Sequence, residues 1–156
     1  MKISFVGHSL ISSKRLVEEM VKEQVRKNCK ETEHTICYLG GYGDFDEICA
    51  RVCRELKKEY VGIALVYVAP YISLSEQAKI KDMQNRGLYD TSIYPPIENT
   101  PPRFAISKRN EWMMKNADVI IAYVNHEYGG GYKSLQVARR NKKKIINICD
   151  FDDKTL

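Results

Sequence analysis

The chain has 156 residues, 44% of them hydrophobic and 29% charged, a composition that suits one globular domain with its own core. Its longest apolar runs, near Ile63–Ala69 and Val119–Val124, are too short to cross a bilayer, and the amino terminus lacks a signal-peptide layout. The net charge of +5 is spread along the chain. We therefore expect a single cytoplasmic domain over residues 1–156, with no membrane association.

Strand-like and helix-like segments alternate along the chain. The helix prediction is clearest over Lys14–Asn28, where apolar residues recur at helical spacing. Leu88–Pro102 breaks the alternation with four prolines, and we interpret it as an ordered loop with a short strand around Thr91–Tyr94. The predicted strands are Lys2–Val6, Thr35–Leu39, Gly62–Ala69, Asp118–Val124 and Lys144–Cys149, and the other predicted helices are Phe45–Glu59, Leu74–Asn85, Phe104–Asn116 and Tyr132–Arg140.

This alternation indicates right-handed βαβ crossovers and an α/β fold. The near-continuous apolar strands are typical of a sheet that is buried on both faces. We predict a Rossmann-like three-layer sandwich with a mainly parallel sheet of about five strands, flanked by helices. Ligands of such folds bind beyond the carboxyl ends of the strands, so the candidate site lies there.

Two glycine-containing turns join a predicted strand to a predicted helix, at Gly40–Gly43 and at Gly129–Gly131. Glycine lets the backbone approach a ligand, and a helix start offers unpaired N–H groups to phosphate. The alternative is that both turns only connect elements. Neither turn matches the dinucleotide fingerprint or the P-loop. The predicted ligand-binding residues at the strand ends and turns are Gly7, His8, Ser9, Gly40, Gly41, Gly43, Asp44, Arg109, Asn110, Gly129, Gly130, Gly131 and Ser134.

Several of these side chains carry two interpretations. Arg109 could grip a phosphate through its planar fork, or lie on a solvated helix face. His8 and His126 each follow a strand and could donate to phosphate or act as acid or base, although lone histidines are more often structural. Glu47 could act on a ribose, or be an exposed residue that suits the positive helix end.

The odd count of five cysteines argues against a complete disulfide framework, and no second pair with zinc-like spacing follows Cys49 and Cys53. Cys49 and Cys53 share a helix face and are best interpreted as small buried hydrophobes, so we predict no metal and no required cofactor. The basic stretch Arg139–Lys144 is either a hydrated helix end or an attractor of anionic partners. No nucleic-acid-binding motif accompanies it, so we expect nucleic acid to be an unlikely partner.

Four segments together resemble the SLOG superfamily of Rossmann-like proteins, which includes the DprA/SMF proteins and the Lonely Guy enzymes. The opening ISFVGHS, the turn LGGYGDFDEICARV and the ending EYGGGYKSLQVARRNKKKIINI are similar to that family's pattern. The most specific segment is SKRNEWMMKNADVIIAYV, which resembles the small YpsA-like bacterial branch.

This resemblance implies a nucleotide or nucleotide-derived ligand in a glycine-lined cleft, and a homodimer. We therefore expect a sensor or ligand-binding protein. One alternative is a Lonely Guy-like nucleotide N-glycosidase or ribosyl-transfer enzyme. For that alternative the resemblance gives Glu47 the spacing of the catalytic glutamate. Glycosidic cleavage uses paired carboxyl groups, and we nominate Asp44 or Glu127 as the second one. The other alternative is a nucleic-acid interaction module that uses the basic stretch.

Overall fold

The computed structural model describes residues 1–29 and 34–152. Within them the chain forms one six-stranded sheet in which all pairings are parallel, in the order β4-β3-β2-β1-β5-β6. The Rossmann-like prediction is confirmed. The strands are β1 (Lys2–Gly7), β2 (Thr35–Leu39), β3 (Ile63–Val68), β4 (Thr91–Ile93), β5 (Val119–Tyr123) and β6 (Lys144–Asn147). The helices are α1 (Lys14–Asn28), α2 (Gly43–Leu56), α3 (Leu74–Asn85), α4 (Ala105–Lys115), α5 (Gly129–Arg140) and α6 (Cys149–Asp152), with a 3₁₀ turn at Pro102–Phe104.

Two separate cores cover the two faces of the sheet. Because successive side chains of a strand point to opposite faces, Phe5 of β1 packs toward α1 and α2 while Val6 packs toward α4 and α5. Both layers are apolar, which explains why the strands have no polar face. Ser4 of β1 is a buried polar residue, and its hydroxyl donates to the carbonyl oxygen of Met113 at 2.9 Å.

The two cysteines predicted as small buried hydrophobes are indeed buried. Cys49 and Cys53 are free thiols with no exposed surface, and burial raises the pKa of Cys49 well above its usual value. Met113 and Met114 lie in the core between α4 and the sheet, and the Trp112 ring packs edge-on against Tyr38. Among the described residues, no helix combines the length and apolarity needed to span a membrane.

The short strand predicted around Thr91–Tyr94 is present, since Thr91–Ile93 pairs with β3 at the edge of the sheet and gives it six strands rather than about five. Other bounds differ from the prediction. Helix α2 begins at Gly43 and not at Phe45, and the last strand ends at Asn147 because Cys149 begins α6. Helix α5 begins at Gly129 and not at Tyr132, so the three glycines form its first turn. Glycine has low intrinsic helix propensity, so the sequence did not predict this turn. The sheet and the preceding strand impose it.

The strand order places the candidate site. From β1 the chain moves through β2, β3 and β4 to one edge, and then returns to place β5 on the other side of β1. The connections therefore diverge between β1 and β5. In open parallel sheets this reversal leaves a crevice above the carboxyl ends of the two strands.

Candidate functional site

A cavity of about 580 Å³ opens above the carboxyl ends of β1, β2 and β5, where the strand order reverses. Its volume is that of an ordinary small-ligand site. Nine of the predicted ligand-binding residues line it. They are Gly7, His8, Ser9, Gly40, Arg109, Asn110, Gly129, Gly130 and Gly131.

The amino end of α5 forms one wall of this cavity through Gly129–Gly131. The described part of the chain supplies no side-chain cap to this helix and no acidic residue in its first turn. Its first N–H groups and the positive end of its dipole therefore face the cavity without an acceptor among residues 1–29 and 34–152. This end of α5 is the place in the cavity best suited to a phosphate.

The second glycine turn does not contribute a matching anion site. Helix α2 carries Asp44 and Asp46 in its first turn, so carboxylates already occupy its positive end. Asp44 accepts the Ile11 N–H at 2.9 Å and lies 3.6 Å from the Lys14 ammonium, which ties down the loop after β1. Of this turn, only Gly40 among the predicted residues lines the cavity.

Gly41 and Gly43 are required for packing and not for ligand approach. Both have positive φ, of 73° and 85°. A Cβ at Gly41 would lie 2.8 Å from the Tyr67 ring, and one at Gly43 would lie 2.7 Å from the Cα of Ser9. Gly41, Gly43 and Asp44 were predicted as ligand-binding residues, and the structure places all three outside the cavity wall.

Arg109 is a buried brace between two strand ends. Its side chain is 1% exposed, which rules out the solvated helix face. Its Nη1 donates to the carbonyl oxygens of Gly40 at 2.9 Å and Val68 at 2.7 Å, and its Nε donates to the Asn110 side chain at 2.8 Å. These Nη1 and Nε donors hold protein acceptors, so Arg109 supports the backbone of two strand ends. Its predicted contact with a phosphate stays a prediction.

Asp46 is the carboxylate beside this guanidinium. Burial raises the pKa of Asp46 to about 6, while the Tyr42 N–H bond and the charge of Arg109 act in the opposite direction. Burial also lowers the pKa of Arg109, and Asp46 partly offsets that effect. Sequence reasoning missed Asp46 because its importance depends on Arg109, which lies 63 positions further along the chain.

Three aromatic rings form a stack at the mouth of the cavity. The His8 and His126 rings lie 3.8 Å apart and 11° from parallel, and the His126 and Tyr128 rings lie 3.8 Å apart and 16° from parallel. Tyr128 ends the stack and is 70% exposed. Tyr128 was not predicted, since a single tyrosine in a loop gives no sequence signal of stacking.

A hydrogen bond from the backbone fixes the His8 ring of the stack. The Asn125 N–H donates to Nε2 of His8 at 2.9 Å, so the neutral His8 carries its proton on Nδ1. That Nδ1 lies 3.7 Å from the position of a Cβ on Gly131, beside the first turn of α5. Burial, and secondarily the charge of His126, lowers the pKa of His8, which favours the neutral donor form at neutral pH.

Asn147 supports the segment that carries the stack. Its Nδ2 donates to the Val124 carbonyl oxygen at 2.9 Å, and its Oδ1 accepts the Val124 N–H at 3.2 Å. The amide thus extends the pairing of β5 and β6 beyond the last strand residue. This contact holds the backbone just before Asn125, His126 and Tyr128 and had no signal in the sequence.

The carboxylates proposed for glycosidic cleavage do not meet in the cavity. The Glu47 side chain is 73% exposed, lies 3.9 Å from Arg51 and is absent from the cavity wall. Glu127 lines a neighbouring cavity instead. Asp46 is the one acidic residue in the described cavity wall, and Glu47 is therefore not placed to act on a ligand there.

Two further predictions concern metal and the basic stretch. No group of three or more potential metal ligands occurs between residues 1 and 29 or between 34 and 152. Arg139–Lys144 lies where α5 ends and β6 begins, at the amino-terminal edge of the sheet. Arg139 lines a neighbouring cavity that shares Tyr123, Asn125 and His126 with the main cavity. The length of α5 separates the rest of the stretch, Arg140–Lys144, from the main cavity by about 18 Å.

Comparison with known proteins places this architecture among solved structures. The chain resembles DNA processing protein A from Helicobacter pylori, described for its unique single-stranded DNA binding mode, at 15% identity and a TM-score of 0.60. The match covers 93% of this chain and 63% of that one. DNA processing protein A (DprA) from Streptococcus pneumoniae matches at 15% identity and a TM-score of 0.64, covering 92% and 48% of the two chains. No family model and no curated protein matches the chain.

These likenesses establish the shared fold, and the chain spans less than two thirds of either neighbour. Both neighbours are DprA proteins, a group that the sequence resemblance already named. Assignment to the YpsA-like branch stays a prediction. The expectation that nucleic acid is an unlikely partner is wrong, because a protein with this fold binds single-stranded DNA.

Proposed function

We propose that this chain binds single-stranded nucleic acid at the cavity above β1 and β5. A phosphate of the strand lies at the amino end of α5, and a neighbouring base stacks on the exposed face of Tyr128. The observation that carries this proposal is the position of the His8–His126–Tyr128 stack beside an uncapped helix start. The H. pylori neighbour, which binds single-stranded DNA, supports it.

The two halves of the site match the two parts of a nucleotide. Backbone N–H groups at a helix start bind phosphate oxygens without reading sequence. Aromatic side chains stack with any base, at roughly 1–3 kcal/mol for each base. Tyr128 is 70% exposed and stacks on His126 through one face of its ring, so the other face is open to a base.

Single strands fit this site better than duplexes. Bases in a duplex are already stacked on each other and cannot lie on a side chain without being unpaired. The cavity volume of about 580 Å³ admits one nucleotide and not a double helix. The proposal therefore requires an unpaired strand.

Binding of a free mononucleotide is the second candidate function. It is favoured by the enclosed volume of the cavity and by its place where the strand order reverses. The same helix end and the same ring stack would serve it. The two candidates differ in whether a longer strand binds more tightly than one nucleotide.

Fluorescence anisotropy with a labelled single strand of about ten nucleotides tests the proposal, because known single-strand sites span about 4–16 nucleotides. We expect the single strand to bind more tightly than a duplex of the same sequence and than thymidine 5′-monophosphate, with affinity that falls as salt rises. Equal affinity for strand and mononucleotide would favour the second candidate. Loss of binding in Arg140→Ala/Lys144→Ala but not in Tyr128→Ala would move the interface to the basic stretch.

A further inference from the structure

A groove of about 210 Å³ between α4 and α5 continues from the main cavity. The two share Ile106, Asn110 and Gly130 in their walls, so no other residue separates them at that point. Each side of the groove combines polar residues with one aliphatic residue. Its walls are Ile106, Ser107, Asn110 and Glu111 of α4 and Gly130, Lys133, Ser134 and Val137 of α5.

Asn110 lies where the groove meets the main cavity, and a hydrogen bond fixes the orientation of its side-chain amide. Its Oδ1 accepts the Nε–H of the buried Arg109 at 2.8 Å, which assigns the oxygen side of the amide to the protein. The Nδ2 group has no acceptor among the described residues. Two N–H donors are therefore available where the cavity meets the groove.

Two α5 side chains extend this donor set along the groove. Ser134 is 5% exposed and its hydroxyl makes no hydrogen bond to any residue in the described ranges. Lys133 is exposed and forms no ion pair with a described residue. Glu111 also lines the groove, but Lys108 at 3.3 Å and Lys115 at 2.8 Å engage its carboxylate.

We propose that this groove is a second phosphate subsite, occupied by the next phosphodiester of the bound strand. The proposal rests on the proposed function, because the first phosphate lies at the amino end of α5. Gly130 and Ser134 are one helical turn apart, about 6 Å along the axis, a span that one nucleotide bridges. Asn110 Nδ2, Ser134 Oγ and Lys133 Nζ are the donors to the second phosphate.

Affinities of Lys133→Ala for two probes test this subsite. For an oligothymidylate of about ten nucleotides we expect about a tenfold loss at low salt, because a charge-assisted contact is removed. The slope of log affinity against log salt should become shallower by about 0.7, the change for one phosphate contact on a single strand. Thymidine 5′-monophosphate occupies only the main cavity, so its affinity should change by less than about twofold.

Lys58→Ala is the matched control. Lys58 is exposed and follows α2 at the amino-terminal ends of the strands, whereas the cavity lies at their carboxyl ends. It removes the same charge, and we expect less than about a twofold effect on either probe. Ser134→Ala is a second variant that preserves helix propensity and should weaken the oligomer alone.

Three results would overturn the subsite. In the first, Lys133→Ala and Ser134→Ala bind the oligomer as tightly as Lys58→Ala does, while Tyr128→Ala still binds it more weakly. That result refutes a phosphate subsite in the groove and leaves the proposed function standing. Lys133→Ala could weaken both probes equally, which places Lys133 in the main cavity. Failure of the wild-type chain to bind the oligomer would refute both proposals together.

Discussion

Arg109 and Gly40 lie 69 positions apart in the chain, and the guanidinium of one donates to the carbonyl oxygen of the other at 2.9 Å. The same Nη1 also holds the carbonyl oxygen of Val68, so one side chain of α4 closes the ends of β2 and β3. The cavity wall at Gly40 therefore depends on a residue that does not belong to either strand.

Replacing Arg109 should destabilise the fold strongly. Arg109→Met would leave two strand-end carbonyl groups buried without donors and Asp46 without its cation, a loss of roughly 3–5 kcal/mol in the free energy of unfolding. Urea denaturation measures this change. Arg103→Met removes an exposed arginine just before α4 and should cost less than about 1 kcal/mol. Equal effects of the two substitutions would show that Arg109 is not a brace.

Asp46 should make stability depend on pH. Its pKa in the folded chain is raised to about 6 from the ordinary value of 3.8, so between about pH 4 and pH 6 the folded state holds a proton that the unfolded state has released. Stability contributed by the protonated carboxyl is complete below pH 4 and is lost as the pH rises through 6. We expect unfolding free energy to fall by roughly 2–3 kcal/mol from pH 4 to pH 7 through this group.

Asp46→Asn provides the control for that pH effect. The amide oxygen still accepts the Tyr42 N–H but cannot ionise. Denaturation curves of the variant should lack the part of the decline that lies between pH 4 and pH 6. A decline of the same size in both proteins would assign the effect to other groups.

Alanine substitutions at two glycines of the cavity should distinguish effects on stability from effects on binding. A Cβ at Gly7 would lie 2.4 Å from Cγ of Phe45, so Gly7→Ala should lower the unfolding free energy by about 2 kcal/mol. A Cβ at Gly130 meets no atom within 4 Å, and Gly130→Ala should raise that free energy by roughly 0.5 kcal/mol.

Gly130→Ala should weaken oligonucleotide binding although it stabilises the fold. Its methyl group would stand beside the helix start and hinder the approach of a phosphate, which should weaken oligonucleotide binding about tenfold. Thermal unfolding and anisotropy on the same preparations measure both effects. A Gly130→Ala variant with unchanged affinity would argue against phosphate at the amino end of α5.

The Tyr128 ring, which ends the stack, should contribute to binding by stacking against a base. Tyr128→Ala should cost roughly 1–3 kcal/mol of binding free energy, while Tyr128→Phe keeps the ring and should cost less than about 0.5 kcal/mol. Phe104→Ala removes another half-exposed aromatic ring that is absent from the cavity wall and serves as control. Equal losses for Phe and Ala at position 128 would assign the effect to the hydroxyl group.

The sequence was sufficient for the fold because local patterns dictate it. Helix Lys14–Asn28 was predicted with its observed bounds, since its apolar stripe and polar flanks are both local. The short strand predicted around Thr91–Tyr94 is the edge strand Thr91–Ile93, but with three residues close to prolines it was not counted in the predicted sheet of about five strands. The first turn of α5 was missed because glycine disfavours helix unless tertiary contacts impose it.

The candidate site could be predicted only in part. The strand-end rule and the glycine turns led to Gly7, Gly40 and Gly129–Gly131, which do share a cavity. They could not show that Asp44 and Asp46 fill the start of α2. They also gave no signal for the ring stack on His8, which depends on where β1 and β5 end in space. The predicted homodimer and the cytoplasmic location stay predictions.

The most direct test of the account is a titration of the ¹⁵N-labelled chain with an unlabelled single-stranded oligonucleotide, followed by backbone amide chemical shifts. We predict that the largest shift changes fall on the amides of Asn125, Tyr128 and Gly129–Gly131, at the cavity. Shift changes confined to Arg139–Lys144, or none at saturating concentrations of the strand, would contradict the claim that this cavity binds single-stranded nucleic acid.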